Sequence, residues 1–243
     1  MRAVPTNFVR RESDLRNLGT MWIKVCGIRD EETASEVVAC AQDAIGLNFY
    51  EASPRCVSDD VAAQIVAGLP KTVEAVGLFV NHKVEVVATT CEQTGIGTVQ
   101  LHGDESPEML AALHERSPKL EIIRGLRVGE DGLAEVDAYL AACEWLGVPL
   151  RACLIDARGA GVYGGSGARA PWELLCDWNA DEHRPPLILA GGLDADNVAE
   201  AIQQVRPWGV DVASGVESES GVKDKTLVER FVQSARIAFA AIR

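Results

Sequence analysis

A thiol, a carboxylate and two turns of small residues stand out in this chain as groups whose type and setting could do chemistry. Cys26 closes the stretch Ile23-Lys24-Val25-Cys26 and is followed at once by Gly27. A thiol there can act as nucleophile or base if its pKa falls, and a nearby cation or helix N-terminus would lower it. The alternative is a buried structural cysteine, the common fate of this residue. Asp156 ends the run Cys153-Leu154-Ile155-Asp156. A carboxylate delivered by an apolar strand sits where partial burial would raise its pKa and suit it to donating a proton; helix capping or loop hydrogen bonding is the alternative. Gly159, Gly161, Gly164, Gly165 and Gly167 follow, a density that fits an active-site cover as well as ordinary turns.

The turns are Ala190-Gly191-Gly192-Leu193 and Ala213-Ser214-Gly215-Val216. If each follows a parallel strand, their backbone N–H groups and a helix N-terminus can hold a phosphate; tight turns without a ligand are the competing reading. Arg55 in Ser53-Pro54-Arg55 offers a planar guanidinium able to clamp a carboxylate, against the commoner solvated loop charge. His102 in Gln100-Leu101-His102-Gly103 is read as a substrate contact, or as filling a polar corner. His82, His114 and His183 have no supporting context.

These residues need elements to position them. Short apolar runs read as strands near Ile23 to Cys26, Ala44 to Phe49, Ala75 to Val80, Thr98 to Leu101, Glu121 to Arg124, Ala152 to Ile155, Leu187 to Ala190 and Gly209 to Val212. Their starts recur about every 27 residues, room for a strand, two loops and a helix in each unit. Amphipathic stretches lie between them, among them Glu31 to Cys40, Asp59 to Leu69, Ser106 to Glu115, Asp194 to Val205 and Lys225 to Ile242. Apolar strands alternating with helices predict a parallel sheet, and eight units predict closure into a single-domain (β/α)8 TIM barrel rather than an open doubly wound sheet. Cys26, Asp156 and both turns then fall at C-terminal strand ends, where barrels of this kind carry their active sites. Residues 1–20 form an extension ahead of a barrel spanning 21–243. Met21 is a plausible initiator, and a chain beginning there is expected to keep full activity and stability.

With 23 basic and 36 acidic side chains the formal charge is −13, a field that argues against nucleic-acid and membrane partners. A phosphorylated small molecule is compatible with it, because a helix N-terminus or a well-placed arginine binds an anion locally. Seven scattered cysteines without a CxxC pair suit reduced thiols in a cytoplasm better than disulfides or zinc. No apolar run is long enough to span a membrane.

The segments IKVCGIRDEETA, GLNFYEASPRCVS, VGLFVN, VQLHGDE, LIDA, GGSG, LILAGGLDADNV and DVASGVESESGVKD occur in that order within a span from residue 22 to about residue 231. Together they resemble the phosphoribosylanthranilate isomerases of tryptophan biosynthesis. The resemblance implies an Amadori rearrangement of N-(5-phosphoribosyl)anthranilate without metal or organic cofactor, by a monomer or homodimer. It implies Cys26 as general base and Asp156 as general acid, with Arg55 on the anthranilate carboxylate. Gly191, Gly192, Ser214 and Gly215 fall in its phosphate-binding turns, and His102 and Asp211 are taken with them as substrate-binding residues. Asn48, Glu51 and Ala213 depart from the family's usual residues, Glu51 by adding negative charge near an anionic substrate.

Two rivals remain at this level. Related phosphate-binding barrels, such as a sugar isomerase of histidine biosynthesis or indoleglycerol-phosphate synthase, use an Asp pair or a Lys/Glu set where this chain has Cys26. A non-catalytic barrel that senses a phosphorylated metabolite would have no need of both Cys26 and Asp156.

Overall fold

A computed structural model describes residues 21–128, 132–157 and 172–242. The extension over residues 1–20 and the glycine-rich stretch from Gly159 to Gly167 lie outside the described residues. Eight strands form one closed barrel in chain order: β1 (Trp22–Cys26), β2 (Ala44–Asn48), β3 (Glu74–Phe79), β4 (Thr98–Leu101), β5 (Glu121–Val128), β6 (Leu150–Ala157), β7 (Leu187–Leu189) and β8 (Gly209–Val212). All neighbours are parallel, and β8 returns to pair with β1. Strands buried on both faces require cover, which comes from α1 (Glu31–Val38), α2 (Asp59–Gly68), α3 (Val84–Thr94), α4 (Pro107–Arg116), α5 (Ala134–Trp145), α6 (Val198–Val205) and α7 (Lys225–Ala241).

Local signals start these helices where the chain leaves the barrel. Asp30, Ser58, Ser106 and Asp224 each accept a hydrogen bond from a backbone N–H in the first turn, satisfying a donor the helix leaves open. Val198, Ala201, Ile202 and Val205 form the buried stripe of α6, at the spacing a one-sided helix requires.

Three features differ from the sequence reading. Strand β5 continues past Arg124 to Val128, because Arg127 and Val128 pair with Asp156 and Ala157 of an equally lengthened β6. Helices α3 and α5 were not singled out by periodicity. The described part of the β6–β7 connection holds two 3-10 turns, Trp172–Leu175 and Trp178–Ala180, rather than an α-helix. Trp178 is anchored there by donating its indole N–H to the Pro185 carbonyl at 2.8 Å, burying a large apolar surface without helical length.

The two ends of the barrel have different chemistry. At the strand starts, Arg151 pairs with Glu74 and, at 2.9 Å, with Glu121, and lies over the stacked rings of Trp22 and Trp208. This end is plugged by mutually satisfied groups. At the strand ends a second ion pair ties β5 to the loop after β4: Arg124 meets Glu105 at 2.9 Å and also donates to the Leu101 and Gly103 carbonyls. Glu105 in turn accepts the N–H groups of Asn81 and Gly103. The loop carrying His102 is thus held from both sides.

Among the described residues no helix is long and apolar enough to cross a membrane.

Removing one partner of the Arg124–Glu105 pair leaves a buried charge uncompensated, which typically costs about 3–5 kcal/mol. Arg124→Met is therefore expected to lower unfolding stability in urea by that order, and Arg124→Met with Glu105→Leu to recover a large part. Equal stability of Arg124→Met and the parent chain would contradict the assignment.

Candidate active site

Cys26 ends β1 and is 4% exposed, its sulfur facing a cavity of about 260 Å³ at the C-terminal ends of the strands. Its space exists because Gly46 lies opposite on β2: a Cβ there would stand 2.6 Å from the Cys26 Sγ. The same cavity is walled by Asp156, Arg55, His102, Gly191, Gly192, Asp211 and Ser214. The thiol and the carboxylate therefore share one hollow, as the sequence reading required. Gly191 and Gly192 have φ of +82° and +64°, which turns the chain directly after β7. Gly215 does not wall the cavity but stands behind it. A Cβ at Gly215 would lie 1.9 Å from the Leu193 carbonyl oxygen, so the turn after β8 can approach the turn after β7 only as glycine.

His102 sits 3.5 Å from Asp156, measured from Nε2 to Oδ2. Its Nδ1 meets the Gln100 side-chain nitrogen at 3.0 Å. An amide donor at Nδ1 leaves the ring proton on Nε2, the nitrogen nearer the carboxylate. The histidine thereby flanks the acid on the cavity wall.

Arg55 is not a solvated loop charge. Its Nε and Nη2 donate to the two carboxylate oxygens of Glu217 at 2.7 Å each. Glu217 opens a short hairpin of β9 (Glu217–Glu219) and β10 (Val222–Lys223), and it also receives Lys223 at 2.6 Å and the Gly221 N–H at 3.1 Å. Burial works to raise the Glu217 carboxyl, but hydrogen bonds from Arg55 and Lys223 outweigh it and hold the group at about 2. Two cations on one carboxylate leave one net positive charge beside the cavity, a setting suited to an anionic substrate.

The thiol meets opposed influences. Burial pushes Cys26 up, Lys24 and Lys223 pull it down, and Asp211 pushes it up again; the outcome is a pKa above that of an ordinary cysteine. The lowering expected from a neighbouring cation is present in kind but is outweighed by burial. Asp211 reaches the cavity while one of its oxygens takes Lys24 at 2.8 Å.

The family model described as N-(5'phosphoribosyl)anthranilate (PRA) isomerase matches residues 23–234. The chain belongs to the N-(5'-phosphoribosyl)anthranilate isomerase family. An N-(5'-phosphoribosyl)anthranilate isomerase of Trichlorobacter lovleyi is 41% identical over 216 residues, covering 89% of this chain and 98% of that protein. One from Magnetococcus marinus is 43% identical over 216 residues, covering 89% of this chain and 95% of that one. The solved phosphoribosyl anthranilate isomerase of Thermotoga maritima matches with a TM-score of 0.77 at 31% identity, over 89% of this chain and 98% of that chain.

Within this isomerase family the departures of the chain have local explanations. Asn48 donates to Ser53 Oγ at 3.0 Å and accepts the Tyr50 N–H at 2.9 Å, stitching the loop that carries Arg55. Glu51 is exposed and does not wall the cavity. Ala213 contributes its carbonyl oxygen, which accepts from Lys223 at 2.9 Å. Sequence reasoning missed Glu217, Lys223 and Lys24. A lysine inside the apolar run Ile23-Lys24-Val25 was the available signal, since lysine is almost never fully buried unless paired.

Glu217 carries a carboxyl far below its ordinary 4.5 in the folded chain. Its contribution to stability is therefore complete above about pH 4.5 and is lost as pH falls toward 2. Glu217→Gln is expected to flatten this acid limb of the stability curve. It should also raise KM by roughly tenfold, the scale of one charge-assisted hydrogen bond, as Arg55 loses its anchor. Coincident acid limbs and an unchanged KM would refute the role given to Glu217.

Proposed function

We propose that the chain isomerises N-(5'-phosphoribosyl)anthranilate to 1-(2-carboxyphenylamino)-1-deoxyribulose 5-phosphate, with Asp156 as general acid and Cys26 as general base. The observation that carries this reading is that sulfur and carboxylate wall one cavity that the turns after β7 and β8, the strands between them in the ring, also line. A phosphoribosyl anthranilate isomerase at 31% identity has been solved in complex with reduced 1-(o-carboxyphenylamino)-1-deoxyribulose 5-phosphate, a molecule whose phosphate and carboxylate suit the turns after β7 and β8 and the Arg55 side chain.

The chemistry follows from the residue types. Asp156 gives its proton to the ribose ring oxygen, the bond from that oxygen to C1 breaks, and the nitrogen lone pair closes a C1–N double bond. The resulting iminium acidifies the hydrogen on C2. The Cys26 thiolate takes that proton, and the freed electron pair forms a C1–C2 double bond while the iminium nitrogen is neutralised. The enol then loses its hydroxyl proton as C1 is protonated, giving the C2 ketone. Only protons pass between the enzyme and the substrate, so the conversion is an internal redox exchange between C1 and C2.

Arg55 is assigned to the anthranilate carboxylate. Its Nε edge is held by Glu217, so the substrate is met by the remaining guanidinium N–H groups. Gly191, Gly192 and Ser214 are assigned to the phosphate, with Gly215 allowing the two turns to close on it. His102 is assigned to orienting Asp156 and the nearby substrate oxygens, and Asp211 to the substrate side of β8. The reading suits a monomer or a homodimer.

The experiment is paired. Turnover followed by the fluorescence of the anthranilate group should fall by about 10²- to 10⁴-fold in Cys26→Ser and in Asp156→Asn, the range general acid or base catalysis supplies. Circular dichroism should show both variants folded. Near-parent turnover in either one would remove that residue from its role.

A further inference from the structure

The proposed reaction needs a thiolate in a place where burial opposes one. We propose that Lys24 is the buried counter-charge that stabilises the Cys26 thiolate, with Asp211 as the partner that holds Lys24 in place and tempers its effect. This inference rests on Cys26 being the base, and it makes Lys24 a positioning residue that acts through the sulfur.

The geometry is set by the barrel. Lys24 and Cys26 are two apart on β1, so both side chains point to the same face, into the barrel interior. Lys24 is 0% exposed and does not wall the cavity, whereas Cys26 and Asp211 do. Its ammonium therefore lies a layer beneath the substrate and out of its reach. Residues 24 and 211 are direct register partners across the β1–β8 closure, and the ammonium meets Asp211 Oδ1 at 2.8 Å beneath the Cys26 side chain, its neighbour on the same face of β1. Burial works to lower the Lys24 pKa, yet the charges of Asp211 and Cys26 more than offset it and keep the lysine ionised.

A buried ammonium is an expensive way to fill a barrel layer. Apolar residues of similar volume often match or exceed the stability of a buried ion pair, and branched apolar side chains are the usual filling of such barrels. A functional use explains the choice. Four charged groups act on the sulfur: Lys24 from β1, Asp211 from β8, Lys223 from β10 and Arg55 from the loop after β2. Arg55 and Lys223 already share Glu217. Lys24 is the strongest of the cations on Cys26, and Asp211 is the anion opposing it.

The test measures the thiol without substrate, so its outcome is separate from that of the base assignment: an active Cys26→Ser would end the catalytic reading and leave the titration result standing. Alkylation of Cys26 by iodoacetamide is followed against pH by peptide mass spectrometry in the full chain. Lys24→Met is expected to move the midpoint up by about one unit or more, and Asp211→Asn to move it down by a similar amount. Opposite directions are the signature, because a purely structural pair would loosen the same site in both variants. Should Lys24→Met fail to fold, the double variant Lys24→Met/Asp211→Asn carries no unpaired charge, and its midpoint should lie above that of Asp211→Asn alone. Shifts of the same sign in the two single variants, or equal midpoints in Asp211→Asn and the double variant, would overturn the proposal.

Discussion

The pairing of β8 with β1 is the constraint on which the rest of this molecule depends. Eight parallel strands joined in chain order bring the first and last strands side by side, and once that seam closes, every C-terminal strand end opens onto the same mouth. Cys26 and Asp156 are 130 positions apart in the chain and meet because the ring leaves them no other arrangement. The seam has its own chemistry: it sets Lys24 opposite Asp211 directly below the sulfur. Closure and the electrostatics of the thiol are one structural event.

A second theme is that local charge overrides net charge. The chain carries −13, yet Arg55 walls the cavity, with Lys223 joined to it through Glu217 and Lys24 buried beneath Cys26. Exposed charges fade within a Debye length of about 8–10 Å, whereas contacts of 2.6 to 2.8 Å inside a poorly hydrated wall do not. Each of these cations is tied to a carboxylate that fixes its position. Glu217 fixes two, leaving a single uncompensated charge where an anion is to bind. The acidic exterior and the anion-seeking interior are compatible because they act over different distances.

Much of this was legible in the sequence. Apolar strand runs and their spacing predicted all eight strands and their closure, because a parallel strand buried on both faces leaves a continuous apolar signature that survives without tertiary information. Cys26 and Asp156 were legible because a reactive residue directly after such a run has few places to point. Less accessible were features made by contacts across the chain. Strand β5 runs beyond Arg124 only because β6 is there to pair with it, and Gly125 and Arg127 break the apolar run that would have announced it. The Trp172 and Trp178 turns replace helix length with aromatic bulk. Glu217 is joined to Arg55 across 162 residues and Lys24 to Asp211 across 187, so their partners could not be read from local spacing. The need for glycine at 215 is likewise a contact across the chain, the approach of its turn to the Leu193 carbonyl.

The measurement that tests the account most directly is a crystal structure of this chain with the reduced, unreactive form of the ketose product bound. The account predicts the carbon derived from C2 against the Cys26 sulfur, the oxygen released by ring opening at Asp156, the carboxylate on Arg55 and the phosphate between the turns after β7 and β8. A ligand whose phosphate lies away from those turns, or whose C2 is out of reach of the sulfur, would contradict it.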